Sequence, residues 1–154
     1  MSITHNTFVI ERSYSATPEK VFAAFADPAK KRRWFAEGEA HDVELFEMDF
    51  RVGGTERARF IFRQGTPIEG MTITNETCYQ DIVTNQRVVT TSTMSLGGKP
   101  MSVTLATVEL RPTENGTDLI FTHQAVFLEA ADGPEMRKHG WNKLFDNLAK
   151  ELAS

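Results

Sequence analysis

GPEMRKHGWNKLFDNLAKEL, residues 133–152, carries its large apolar side chains at helical intervals. Trp141, Leu144, Phe145, Leu148 and Leu152 stand three or four positions apart, which places them in one stripe on a 3.6-residue period. Arg137, Lys138, Lys143, Asp146 and Lys150 are expected mostly on the opposite side. Asp132-Gly133-Pro134 marks the start, because proline in the first turn loses no hydrogen bond and already has a helical φ. Gly140 is out of place in a helix interior, where glycine costs about 1 kcal/mol against alanine. Close packing against a sheet or ligand is the expected compensation. A stripe confined to one side of so long a helix needs a broad apolar partner.

The partner lies upstream. FVIERSYS, residues 8–15, alternates as a strand, with Arg12 on the face of Ile10 and Tyr14. That arginine is read either as an edge residue with a wet head or as half of a buried ion pair. Thr17-Pro18-Glu19 then supplies an N-cap, a first-turn proline and an early acid for a short helix whose apolar face is Val21, Phe22 and Phe25. Asp27-Pro28 repeats the signal for a second, PAKKRRWF, with Lys30 to Arg33 outside and Trp34 and Phe35 closing one end of the core. From His41 to Phe127 the texture becomes alternating and β-branched. Phe46, Met48 and Phe50 share one face, and so do Ala58, Phe60 and Phe62 against Arg57, Arg59 and Arg63. Turns are expected at Gly53-Gly54, Gly65-Thr66-Pro67, Thr84-Asn85, Gly97-Gly98 and Asn115-Gly116. In IEGMTITNETCYQ, Met71, Ile73 and Tyr79 share a parity with Asn75 and Thr77 between them, and the inward face is left open. Leu119, Phe121, His123, Ala125 and Phe127 line one face of the last strand. Strand, two short helices, six antiparallel strands and a long helix make an α+β domain, its curved antiparallel sheet wrapped around the C-terminal helix.

At 154 residues the chain suits one domain, 1–154, that buries about two-thirds of its unfolded surface. Composition is 40% hydrophobic and 25% charged, and no apolar run reaches the ~20 residues of a membrane span. MSITHNTFVIERS has no basic start followed by an apolar core, so no signal peptide is read and the cytoplasm is the expected address. The single cysteine, Cys78, excludes an internal disulfide and a cysteine-rich zinc site. A net charge of −4 argues against general nucleic-acid affinity.

Five motifs in order, ERSYSATPEKVF, DPAKKRRWF, FRVGG, GTDLIFTHQ and HGWNKLFDNLAKEL, resemble the bacterial proteins similar to the C-terminal domain of the activator of Hsp90 ATPase. That family belongs to the superfamily of START lipid-binding domains and the birch-pollen allergen fold. The resemblance runs from Phe8 to Leu152 and implies a helix-grip fold with a cavity between sheet and long helix, which in many relatives holds an apolar small molecule. It names no ligand and assigns no catalytic residue. The resemblance does not extend to the additional Hsp90-binding domain of the eukaryotic co-chaperone, so chaperone activation is expected to rank behind ligand binding.

No phosphate loop, HExxH, paired cysteines or GxSxG is present. Accordingly no catalytic residue, cofactor or metal is assigned. His123 and His139 are candidates to meet at one end of the cavity, as proton-transfer groups or as a ligand's hydrogen-bonding handle; the alternative is a core His123 and a surface His139. Glu135, one turn before His139, is read as an ordinary surface pair. Met48, Met71, Met94, Met101 and Met136 are expected to supply deformable pocket wall beside Phe46, Phe60, Phe62, Tyr79 and Phe121, or simply to fill the core. The cavity itself is expected among Phe60, Phe121, His123 and Trp141, reachable from the end near Trp34, because Thr90, Ser92 and Thr107 leave volume unfilled. Three functions follow for such a chain. A small apolar or amphipathic molecule bound without catalysis comes first, an enzyme using His123 or Tyr79 second, and a chaperone-interacting module third.

Overall fold

The computed structural model describes residues 2–129 and 131–154. Strand β1 (Thr4–Tyr14) is followed by helices α1 (Pro18–Ala26) and α2 (Pro28–Lys31), the latter continuing into a π-helical turn, Arg32–Ala36. Six strands come next: β2 (His41–Met48), β3 (Thr55–Phe62), β4 (Thr72–Val83), β5 (Arg87–Leu96), β6 (Lys99–Thr113) and β7 (Gly116–Phe127). Helix α3 (Pro134–Ala153) closes the chain. All seven strands form one curved antiparallel sheet in the order β1-β7-β6-β5-β4-β3-β2, the helix-grip architecture. β2 to β7 are a meander, so each strand pairs with its neighbour in sequence; β1 joins the far edge by pairing with β7. The two short helices therefore carry the chain from one edge of the sheet to the other.

Local chemistry explains each boundary. Thr17 Oγ1 accepts from the Lys20 amide to cap α1, and Asp27 Oδ1 accepts from the Ala29 amide at 2.9 Å to cap α2, each ahead of a proline. Gly54 sits where a Cβ would collide with the Asp49 carbonyl, and at Gly116 one would collide with the Tyr14 carbonyl, so only glycine turns the chain at these places. Gly133, at φ 90°, is the N-cap of α3, with Pro134 at its first position.

α3 lies chiefly against β1, α1 and the π-helical turn. Phe145, Leu148 and Leu152 are buried as their spacing predicts, whereas Trp141 and Leu144 are half-buried. Phe145 sits among Trp34, Phe121 and Trp141, with ring centroids 6.5, 5.2 and 5.5 Å away. Arg12 bonds Asp146 at 2.8 Å and the Asn142 carbonyl at 3.0 Å, pinning β1 to α3.

Four expectations are corrected. Gly140 has open space where a Cβ would go, so no close packing offsets its helical cost. Lys31 is not on the outside of its helix; its ammonium turns inward to Glu56. Arg137 is buried rather than solvated, because it stands four residues before Trp141 and so continues the stripe. Thr107 faces away from α3, and it is Thr104 and Ala106, on the other parity of β6, that face inward.

Candidate ligand site

Between α3 and the middle of the sheet lies a space of about 90 Å³. Its floor is short and polar where the central strands run. Asn75, Thr77 and Tyr79 come from β4, Thr90, Ser92 and Met94 from β5, and Thr104 and Ala106 from β6. This resolves the parity of β4, whose odd-numbered residues face inward as far as Tyr79; a bulge there brings Ile82 onto the core instead. Aromatic rings form the remaining wall: Trp34 and Phe35 from the π-helical turn, Phe121 from β7 and Trp141 from α3. Trp34 is fixed by its indole N–H, which donates to the Ala24 carbonyl at 2.8 Å.

Two charged groups interrupt this wall. At one, Glu56 is 3% exposed, and its Oε1 accepts from the Tyr79 hydroxyl at 2.5 Å and from the Lys31 ammonium at 2.6 Å. The ammonium also stands 4.7 Å from the centre of the Phe35 ring. Burial, reinforced by the negative Glu56 beside it, holds the Tyr79 phenol far above its ordinary value, so it stays a donor. At the other, Arg137 donates to both oxygens of Asp132 at 2.9 and 2.8 Å and to the buried Ser102 hydroxyl at 3.0 Å. His123 faces this end, stacked on Phe8 with centroids 4.3 Å apart. Its burial, and then the Arg137 charge, push it down to about 4, so the ring is neutral at pH 7. Its Nδ1 is buried without a hydrogen-bond partner. Among the described residues no three His, Cys, Asp or Glu side chains cluster as metal ligands would, and no helix is long and apolar enough to cross a membrane.

Residues 15–153 match the family described as Activator of Hsp90 ATPase homolog 1-like protein. The chain belongs to that family. Among solved structures, this Hsp90-activator-like chain is similar to an uncharacterised protein from Rhizobium leguminosarum, 36% identical with a TM-score of 0.89 over 99% of this chain and 97% of that one. A protein from Rhizobium loti is 41% identical, with a TM-score of 0.87 over 98% of this chain and 99% of that one. An AHSA1-like protein from Aeromonas hydrophila shares the fold at 18% identity, TM-score 0.69, over 96% of this chain and 92% of that one. A search of curated proteins found no match.

Of the residues expected at the site, Trp34, Tyr79, Met94, Phe121, His123 and Trp141 line the space. The others are elsewhere. Phe60 is buried in a second apolar cluster with Ala36 and Ala58, against which Phe46 packs, while Met48 packs on the main core. Phe62 stands beside His41 at 5.9 Å near the edge formed by β2. Met71 precedes β4 and is 39% exposed. His139 is exposed on α3 and does not share the burial of His123. Glu56, Lys31 and Arg137 were missed, though each left a signal: Glu56 has the parity of Ala58 and Phe60, Lys31 precedes Trp34 by three, and Arg137 precedes Trp141 by four.

Proposed function

We propose that this protein binds a small amphipathic molecule between α3 and the sheet. The observation that carries the reading is the lining itself, where aromatic rings and Met94 face a floor of short polar side chains. That combination suits an amphipathic small molecule, since apolar area supplies affinity and polar groups supply orientation. About 150 Å³ of apolar space holds benzene in an engineered cavity, so about 90 Å³ takes a single ring only where the wall gives way slightly. Met94 and the half-buried Trp141 give the wall some compliance. Proton transfer at neutral pH gains less support, because Tyr79 is held protonated and His123 is held neutral with its ring 1% exposed.

Native mass spectrometry of freshly purified protein tests the reading through a retained ligand, and NMR titration with benzene-sized probes tests the site. Phe121→Trp should weaken probe binding at least tenfold while leaving the fold intact. Failure of every ring-sized probe to bind the native protein would refute it.

The family's description favours a second reading, action on a chaperone ATPase. The expected outcome is that an equimolar amount leaves the turnover of a bacterial Hsp90-type ATPase unchanged, and reproducible stimulation would reverse the order of the two.

A further inference from the structure

A carboxylate buried in the wall of an apolar space is costly, even when a lysine is beside it. Desolvating both ions offsets most of their attraction, so such a pair adds little stability relative to apolar residues of similar volume. Sequences that break the local rule of an apolar interior tend to do so at functional sites. The arrangement around Glu56 has a specific asymmetry. Both hydrogen bonds made to the carboxylate, from Tyr79 and from Lys31, arrive at Oε1. Oε2 receives none from the described residues, yet it is not sealed among the buried atoms that lack partners. Glu56 is 3% exposed and lines the space, so the space is the neighbour left for Oε2. A carboxylate held from one side by two donors presents a fixed acceptor on the other.

We infer that the ligand bound here is an uncharged ring-sized molecule bearing a hydroxyl or N–H group, which donates a hydrogen bond to Glu56 Oε2 while its ring packs among Trp34, Phe121 and Trp141. This rests on the small-molecule reading above and adds the chemical class. Lys31 and Tyr79 position the carboxylate and do not themselves need to touch the ligand. The negative oxygen repels a carboxylate ligand, and an aprotic ring leaves the acceptor unpaired in a dry site. Rejection of analogues that lack a needed donor is characteristically strong, because the protein group is then buried without a partner. His123 also lines this space, but its Nδ1 is sealed within the protein, so Glu56 Oε2 is the acceptor the ligand meets.

Phenol and fluorobenzene differ little in size, and only phenol donates. Titrating both into the intact protein, followed by NMR, should give phenol the tighter binding by about tenfold or more, as a charge-assisted hydrogen bond provides. Benzoate should not compete. Glu56→Gln, which keeps an acceptor for Tyr79, should weaken phenol about fivefold or more and leave fluorobenzene within about twofold, because the bond loses its charge. A triple variant, Lys31→Met with Glu56→Leu and Tyr79→Phe, removes the polar group as a unit without orphaning a charge; in it the two probes should bind alike. Equal binding of phenol and fluorobenzene to the native protein overturns the donor rule while the small-molecule reading survives. Persistence of the phenol preference in both variants overturns the role of Glu56. Binding of neither probe refutes the small-molecule reading itself, and this inference with it.

Discussion

Phe145→Ala should remove the largest single piece of packing that α3 contributes. The side chain is 0% exposed and touches rings from three other places in the chain, Trp34, Phe121 and Trp141. Truncation first forfeits the transfer of a buried phenyl group, roughly 1.5–3 kcal/mol. It then leaves a void. If relaxation leaves a hole no larger than the existing space of about 90 Å³, the cavity cost at about 24 cal/mol per Å³ adds about 2 kcal/mol. The sum is about 3.5–5 kcal/mol, a large share of the roughly 5–15 kcal/mol that holds a domain together. At about 2–4 °C per kcal/mol for a chain of this size, the melting temperature should fall by about 7–20 °C. Urea unfolding followed by tryptophan fluorescence is the assay, because Trp34 and Trp141 both flank the substituted ring. A loss below about 1 kcal/mol, with the denaturant slope unchanged, would mean that α3 is not anchored on the sheet through Phe145.

Glu56→Ala leaves Lys31, whose side chain is 12% exposed, buried without its counter-charge, and should cost about 3–5 kcal/mol, whereas Lys31→Met combined with Glu56→Leu and Tyr79→Phe should be close to neutral; equal losses in the two proteins by urea unfolding would contradict this. His123 has a folded-state value of about 4, below its ordinary value, so the unfolded chain takes up the proton first and stability falls as pH drops. The loss should run from about pH 6.5 down to about pH 4 and reach about 3 kcal/mol, and His123→Leu should be flatter than the native protein over that window when urea midpoints are compared. Gly140→Ala meets open space inside α3 and should stabilise the protein by about 1 kcal/mol. A thermal melt that does not rise would mean the glycine serves a purpose in the helix.

What was legible in the sequence was whatever obeys a period. Phe145, Leu148 and Leu152 announce their burial by spacing alone, and the turn glycines announce the meander because no other residue fits at Gly54 or Gly116. Misreadings fell where a charged residue occupies a position whose period is apolar. The charge of Lys31 and Arg137 points to solvent, whereas their spacing to Trp34 and Trp141 places them inside. Glu56 shares the parity of Ala58 and Phe60, and its charge masks that position in the same way. Phe46, Phe60 and Met71 failed differently. Parity gives the face of a strand but not its distance from the helix, and β2 and β3 lie at the sheet edge, where a second apolar cluster takes Phe46 and Phe60.

The location of the space follows from the same geometry. α3 rests against β1, α1 and the π-helical turn, so its apolar stripe is used up on one side of the sheet. The concave face of β4, β5 and β6 must then be covered by something else, and its own side chains are too short to do it: Thr77, Thr90, Ser92 and Thr104 all point inward. Larger apolar residues at these positions would close the interior, and their absence leaves unfilled volume in a fold whose interiors are otherwise close-packed. Hydroxyls on such a floor would be ill suited to a dry void but can face a molecule with one polar end. Glu56 then matters less for holding the fold together than for deciding which end of a guest it meets. A chain under selection for stability alone gains little from the Lys31–Glu56 pair, because apolar side chains of similar volume would serve as well.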